Sequence, residues 1–426
     1  MLGLQKIDNL KIFNLFGIRF LLHVDKNRTP QKTESSALPE EIAISRELAN
    51  QITLNRFVLK SNNFKKALIV TCELSFNGAA LCVFQLLDHL VENGYSVAVL
   101  TYKDGPLKEK LYERGVDSFL IPDVYKFKDE FLSIAKEFDL VLCNTIATYD
   151  AAYLSKFVLQ KKVFWWCHEA KLIHELKHLY QRRFGLPNLP EVLAKPIEIH
   201  TVSSYSKKYL LEFSNHVSLF KYKVKLPTSS TLNSCKHSKI QLLTIGVEYR
   251  KGTDILINVM RLLSQNSSLS GAFDLHIIGN ISSEFSKQLQ VVSSDLPNVY
   301  WHGYVEDDEK NRLIESSDLL LCFSRDDPLP SYVSEGYSMR KAALVGPNCG
   351  HYDLINDKHN GFVVPNLNEK CIVNKLAEIL EHSASLQAIG NEAFDIYKLN
   401  FTEEIFNSEL SRIINSSWFK NETQHP

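Results

Sequence analysis

The chain has 426 residues, enough for two domains that each bury a full core. It is 45% hydrophobic and 23% charged with a net charge of −1, a balance that excludes a global attraction to nucleic acid, so no nucleic-acid partner is expected. Its eight cysteines are scattered with no C-x-x-C pair, which points to buried reduced thiols of a cytoplasmic protein rather than to disulfides or zinc. No secretory signal is visible, and no uncharged run is long enough to span a bilayer.

Residues 1–63 read as an extension and linker. Within them Leu10–Leu22 is rich in Phe, Leu and Ile, with Lys11 and Arg19 as its only charges. It is either an in-plane membrane anchor or a helix or strand packing on the neighbouring domain. The weakly basic polar face favours packing. Asp25–Glu40 is polar with two prolines and reads as a linker.

From Ala67 short apolar runs alternate with helical patterns. Ala67–Thr71, Ser96–Leu100, Phe119–Ile121, Leu140–Cys143, Val163–Trp166 and Ile197–Val202 are predicted strands. A turn at Asn77-Gly78-Ala79-Ala80 leads into a helix over Leu81–Glu92, and Asp104-Gly105-Pro106-Leu107 opens another. Pro227–His237 is polar and breaker-rich, as an interdomain hinge would be. A second alternation follows with strands at Gln241–Gly246, Asp274–Gly279, Val299–Gly303, Leu319–Phe323 and Ala342–Val345. Two such series predict an α/β protein of two Rossmann-like, doubly wound parallel-sheet domains, over residues 64–228 and 238–400. Residues 401–426 carry a last amphipathic helix.

After the Leu319–Phe323 run comes Ser324-Arg-Asp-Asp-Pro-Leu-Pro-Ser-Tyr-Val-Ser-Glu335. Pro328 and Pro330 stop the strand, and Pro330 suits the first position of a helix through Ser331, Glu335 and Ser338. The pair Asp326-Asp327 is thereby held on a loop at a strand's carboxyl end, where open α/β sheets bind ligands. A helix start there would receive a diphosphate.

These residues carry a resemblance. Asp327 and Glu335, with seven residues between them, are similar to the paired acids of retaining GT4-family glycosyltransferases of GT-B fold. The glycine turn Gly346–Gly350 with Asp353, and Asn360-Gly-Phe-Val-Val-Pro365, resemble segments that follow in that family. So does Lys251-Gly-Thr-Asp-Ile-Leu256. The resemblance implies a cleft between the two domains and a last helix that crosses back to the first.

By that resemblance Asp327 would hold the donor sugar's hydroxyls, Glu335 the ribose, and His168 the sugar from across the cleft. Lys251 would neutralise the departing diphosphate. The family has an arginine shortly after the glycine, whereas Val247 follows Gly246 here and the loop is one residue shorter, so Arg250 is expected to supply that charge. Gly279, Gly303 and Tyr304 would border the nucleotide, with Pro330, Ser331 and Tyr332 at the helix start facing it. Asn77, Gly78 and Ala79 resemble a glycine turn toward phosphate or acceptor, with Asn77 replacing a glycine in a left-handed position. Asn144 is expected to line the acceptor cleft or to be a plain strand cap. Glu169 would hold an acceptor hydroxyl or fix the tautomer of His168.

The implied activity is retaining transfer of a sugar from a UDP- or GDP-linked donor to a glycan or lipid-linked acceptor, in cell-surface polysaccharide or glycoconjugate synthesis. The implied place is the cytoplasm, at the membrane face where peripheral contact occurs. No D-x-D motif is present, so neither a metal nor another cofactor is expected. A GT-B epimerase or phosphorylase would share the fold, but the chain resembles neither in its motifs. The alternative from another class is a catalytically silent GT-B subunit supporting a partner transferase.

Overall fold

The computed structural model describes residues 6–7, 10–15, 18–23, 40–179, 184–227, 238–266 and 269–416. Residues 1–48 and 49–426 form two separate compact units. In the first, strands β1 (Lys6–Ile7), β2 (Leu10–Leu15) and β3 (Ile18–His23) pair antiparallel, with Leu10 opposite His23. The described residues of the apolar Leu10–Leu22 stretch thus take the strand form and not that of an amphipathic interfacial helix. Of the expected linker Asp25–Glu40, residues 25–39 lie outside the described residues, and Glu40 already begins a helix to Lys60. From that helix Leu54 and Phe57 pack into the core beneath the first large sheet, so the end of the expected extension is built into that domain.

The N-terminal sheet holds seven strands: β4 (Lys65–Thr71), β5 (Tyr95–Thr101), β6 (Asp117–Leu120), β7 (Leu140–Asn144), β8 (Lys162–Cys167), β9 (Ile199–Thr201) and β10 (Val217–Leu219). Their order is β10-β9-β8-β7-β4-β5-β6, and every pairing is parallel. The short edge strand β10 was not legible in the sequence pattern. Both faces of the sheet are covered, which is why its strands read as continuous apolar runs. Alternate residues serve opposite faces: Trp165 joins one core cluster and Trp166 the other, both fully buried.

The C-terminal sheet holds β11 (Ile240–Ile245), β12 (Phe273–Ile278), β13 (Val299–Gly303), β14 (Leu319–Cys322), β15 (Ala342–Val345) and β16 (Phe362–Val363). Their order is β13-β12-β11-β14-β15-β16, again all parallel. Each sheet reverses its winding at one place, between β4 and β7 in the first and between β11 and β14 in the second. At such a switch point adjacent loops diverge to opposite faces and leave a crevice at the strands' carboxyl ends. The residues expected to act come from the loops that end these strands or their neighbours.

Of the expected hinge only Pro227 lies within the described residues. The last helix, Glu403–Asn415, places Phe406 against Phe220 and Trp166 of the N-terminal domain, and Glu403 pairs with Lys223. Among the described residues no helix is long and apolar enough to cross a membrane. The seven described cysteines form no disulfide.

Candidate active site

The switch point of the C-terminal sheet builds the side that the resemblance assigns to the donor. After β11 the chain turns at Gly246, where φ is +110°, and a Cβ there would lie 2.9 Å from Lys251 Cγ. Glycine at this place lets the Lys251 stem fold back along the strand end. Its ammonium then reaches Asp327, on the loop after β14, at 2.7 Å from Oδ2. Burial works against the charge on Lys251, but the Asp327 carboxylate overrides it and raises the pKa above the ordinary lysine value.

Asp327 is itself fixed by backbone. Its N–H donates to Asn348 O at 3.0 Å, and its carbonyl accepts from Gly350 N–H at 3.0 Å. Gly350 is required for that approach, because a Cβ there would lie 1.7 Å from Pro328 O. Arg250 closes the same corner: Nη1 donates to Asp326 O at 2.7 Å, and its positive charge acts on Lys251. The two cations expected at the diphosphate are therefore adjacent, with Arg250 in the shortened loop that lacks an arginine after Gly246.

Helix Ser331–Ser338 follows, with Pro330 as its extended N-cap (ψ 119°), one residue earlier than the expected first helical position. Glu335 lies one turn in and is held by Lys310 of helix Asp307–Ser316, whose Nζ donates to Oε1 at 3.3 Å. Burial pushes the Glu335 pKa up and Lys310 opposes that. Glu335 Oε2 is buried and accepts no hydrogen bond, although the same ammonium lies 3.2 Å away. An orphaned acceptor of this kind fits a ligand hydroxyl. Tyr332, expected beside it, is turned into the core: its hydroxyl donates to Leu321 O at 2.6 Å, so it does not serve as a donor contact.

The N-terminal domain supplies the opposite wall. Asn77 is extended (φ −139°, ψ 164°), not left-handed, and its Oδ1 accepts the N–H of Ala80 to cap helix Gly78–Glu92. The turn survives because Asn is a good cap. Gly78 and Ala79 line the cleft, and the Cβ position of Gly78 is open space. His168 follows β8, its ring against Trp166 at 4.5 Å between centroids. Its Nε2 lies 2.9 Å from Asn144 Oδ1, while Asn144 Nδ2 donates to Ala79 O at 2.8 Å. With the amide nitrogen committed, Oδ1 accepts and the hydrogen-bond network assigns the proton to Nε2. Nδ1 keeps its lone pair. Burial holds the ring neutral, its pKa pushed down to about 3.

Two expectations each lose one of their alternatives here. Asn144 is fully buried and stands behind His168 instead of lining the cleft. Glu169 does not fix the tautomer: its Oε2 accepts the backbone N–H groups of His168 (2.9 Å) and Ile146 (3.0 Å). Burial pushes its pKa up to about 7 against those bonds. The preceding Thr145 has φ +79°, a strained value for a β-branched residue. Its carbonyl accepts from Trp165 Nε1 at 2.9 Å and its N–H donates to Trp166 O at 2.7 Å, which hold it there.

A cleft of about 1330 Å³ joins the two walls and is lined by His168, Glu169, Arg250, Lys251, Asp327 and Glu335, together with Pro330 and Ser331. Gly279, Gly303 and the exposed Tyr304 lie outside this lining, at the ends of β12 and β13, where Gly279 N–H donates to Gly303 O at 2.9 Å. Lys310 escaped the sequence reading, because Glu306–Arg312 has the charge pattern of a solvated helix face. Among the described residues no group of three or more His, Cys, Asp or Glu is placed to hold a metal ion.

Comparison with known proteins agrees with this fold. The family model for glycosyl transferases group 1 matches residues 234–395, and that for glycosyl-transferase family 4 matches residues 63–235. No curated protein sequence matches the chain. Among solved structures, a glycosyltransferase from Rickettsia africae superposes with TM-score 0.68 at 17% identity, covering 84% of this chain and 100% of that one. HepE of Anabaena, solved with UDP and glucose, gives TM-score 0.67 at 15% identity, with 82% and 98% covered. The lipopolysaccharide outer core galactosyltransferase WaaB gives 0.64 at 15%, with 82% and 99% covered. Two adjoining family matches over both sheets, and a shared GT-B architecture, make this chain a member of the GT4-like group 1 glycosyltransferases.

Proposed function

We propose that the protein transfers a glycosyl group from a nucleoside diphosphate sugar to a hydroxyl of a glycan or lipid-linked acceptor, with retention at the anomeric carbon. The observation that carries this is the Lys251–Asp327 pair across the switch point, 2.7 Å apart, with Arg250 beside it. Negative charge grows on the diphosphate as the bond from the anomeric carbon to its oxygen breaks. Fixed positive charge aimed at the leaving oxygen stabilises it without reorganising. Lys251, Arg250 and the start of helix Ser331–Ser338 supply that positive charge. Asp327 is placed to accept sugar hydroxyls, and Glu335 Oε2 a ribose hydroxyl. His168 lines the other wall, and its Nδ1 lone pair would orient the sugar. The acceptor hydroxyl then attacks on the face that the diphosphate leaves. No protein nucleophile is assigned.

HepE has been solved with UDP and with UDP-glucose, which supports UDP as the first nucleotide to test. Thermal unfolding of the purified protein would be measured with UDP, GDP, ADP and their sugar conjugates, with and without EDTA. A ligand that binds only the folded chain raises its stability by mass action. The expected result is one nucleotide standing out, with a rise that EDTA leaves unchanged because protein cations carry the charge. A second reading, a silent subunit that supports a partner transferase, is favoured by Val247 where the family has arginine. Silence across the panel would bring it to the front.

A further inference from the structure

The two adjacent carboxylates of the loop after β14 go to opposite sides. Asp327 turns inward to Lys251. Asp326 turns across the interface into the N-terminal domain, where Oδ1 accepts the Lys171 N–H at 3.3 Å and Oδ2 the Leu172 N–H at 3.2 Å. Oδ1 also accepts the Tyr205 hydroxyl at 3.0 Å. The side chain is buried, and its own carbonyl accepts from Arg250 Nη1 at 2.7 Å. Lys171 and Leu172 stand three and four residues after His168. One residue thus joins the segment that carries His168 to the guanidinium expected at the diphosphate.

We infer that Asp326 is a positioning residue: its carboxylate sets the separation and register of the two domains at which transfer occurs. The inference rests on the transfer reaction proposed above. That reaction needs His168 from one domain and Asp327 and Lys251 from the other on a single sugar. Misplacement by about 1 Å is enough to cost roughly a hundredfold in rate. Packing alone tolerates small slides between apolar surfaces, whereas a carboxylate shared by three donors has a steep dependence on distance and direction. Tyr222 makes a second contact across the interface, donating to Leu329 O at 3.1 Å. Losing Asp326 therefore loosens the cleft without separating the domains. The nucleotide contacts proposed above, Lys251, Arg250, Glu335 and the Ser331 helix start, all lie in the C-terminal domain, so its affinity is expected not to depend on this closure.

The test uses the full chain with Asp326→Ala, Asp326→Asn and Tyr205→Phe. The amide keeps one acceptor oxygen and the phenylalanine removes one donor, so a graded series follows. Transfer kcat is expected to fall least in Tyr205→Phe and most in Asp326→Ala, by about tenfold or more. The dissociation constant of the nucleoside diphosphate is expected to stay within about threefold. Small-angle X-ray scattering should show a larger radius of gyration in the same order. A kcat that does not change, or a nucleotide affinity that falls in step with kcat, would overturn the assignment. So would a lowered Tm in Tyr205→Phe with kcat and KM unaltered, the mark of a merely structural contact. If the chain proves to transfer no sugar, scattering still decides: an unchanged radius in Asp326→Ala overturns the positioning role by itself.

Discussion

Lys251 Nζ and Asp327 Oδ2 lie 2.7 Å apart although their residues are 76 positions apart in the chain. They meet because β11 and β14 are neighbours at the point where the sheet reverses its winding. Before donor arrives each neutralises the other in a partly buried place. A diphosphate would then share the ammonium, leaving Asp327 oxygens for hydroxyls.

Removing either partner leaves a buried charge uncompensated. Lys251→Ala and Asp327→Ala are each expected to lower transfer by roughly a hundredfold or more. Circular dichroism should show the fold intact. Full activity in both variants would refute the site.

The orphaned Glu335 Oε2 predicts a ribose contact. Glu335→Gln should raise the donor KM by about tenfold, the loss of one charged hydrogen bond. Donors lacking one ribose hydroxyl should discriminate between wild type and variant: wild type loses affinity for one of them, the variant does not. Lys310→Met removes the charge that opposes burial of Glu335 and should raise its pKa further.

The tautomer of His168 depends on Asn144. Asn144→Leu removes the acceptor for Nε2–H and frees the ring to take either tautomer or turn. The expected outcome is a fall in kcat of about tenfold or more with donor affinity little changed. A variant as active as wild type would show that the ring needs no such partner.

Stability should depend on pH in two opposed windows. Burial pushes His168, His200 and His351 down to about 3 from an ordinary 6.5. Between those values the unfolded chain binds these protons and the folded chain does not, so stability falls as pH falls from 6.5 toward 3. Glu169 is pushed up to about 7 from 4.5, so the folded chain binds the extra proton between those values. That contribution is complete below 4.5 and is lost as pH rises through 7. Each effect is on the order of a few kcal/mol. Denaturant unfolding at several pH values should show a flatter rise from pH 4.5 for wild type than for Glu169→Gln, in which the opposing contribution is gone.

Periodicity alone determined much of this protein. Strand runs bounded by glycine and proline announced two parallel sheets, because a strand buried on both faces must be apolar throughout. The acids Asp327 and Glu335, eight positions apart across a proline-led helix start, marked by resemblance the loop that the structure places at the cleft. What remained hidden were relations between distant segments. Nothing local distinguishes Asp326 from Asp327, yet one is drawn to Tyr205 and the other to Lys251. Asn144 read equally as a cleft-lining residue or a strand cap until β8 brought His168 beside it, and Lys310 went unread until packing set Glu335 against it. Local sequence governs backbone form, since propensity and alternation act within a few residues. Which side chain faces which is decided by strand order and domain closure, and those are set only when the whole chain packs.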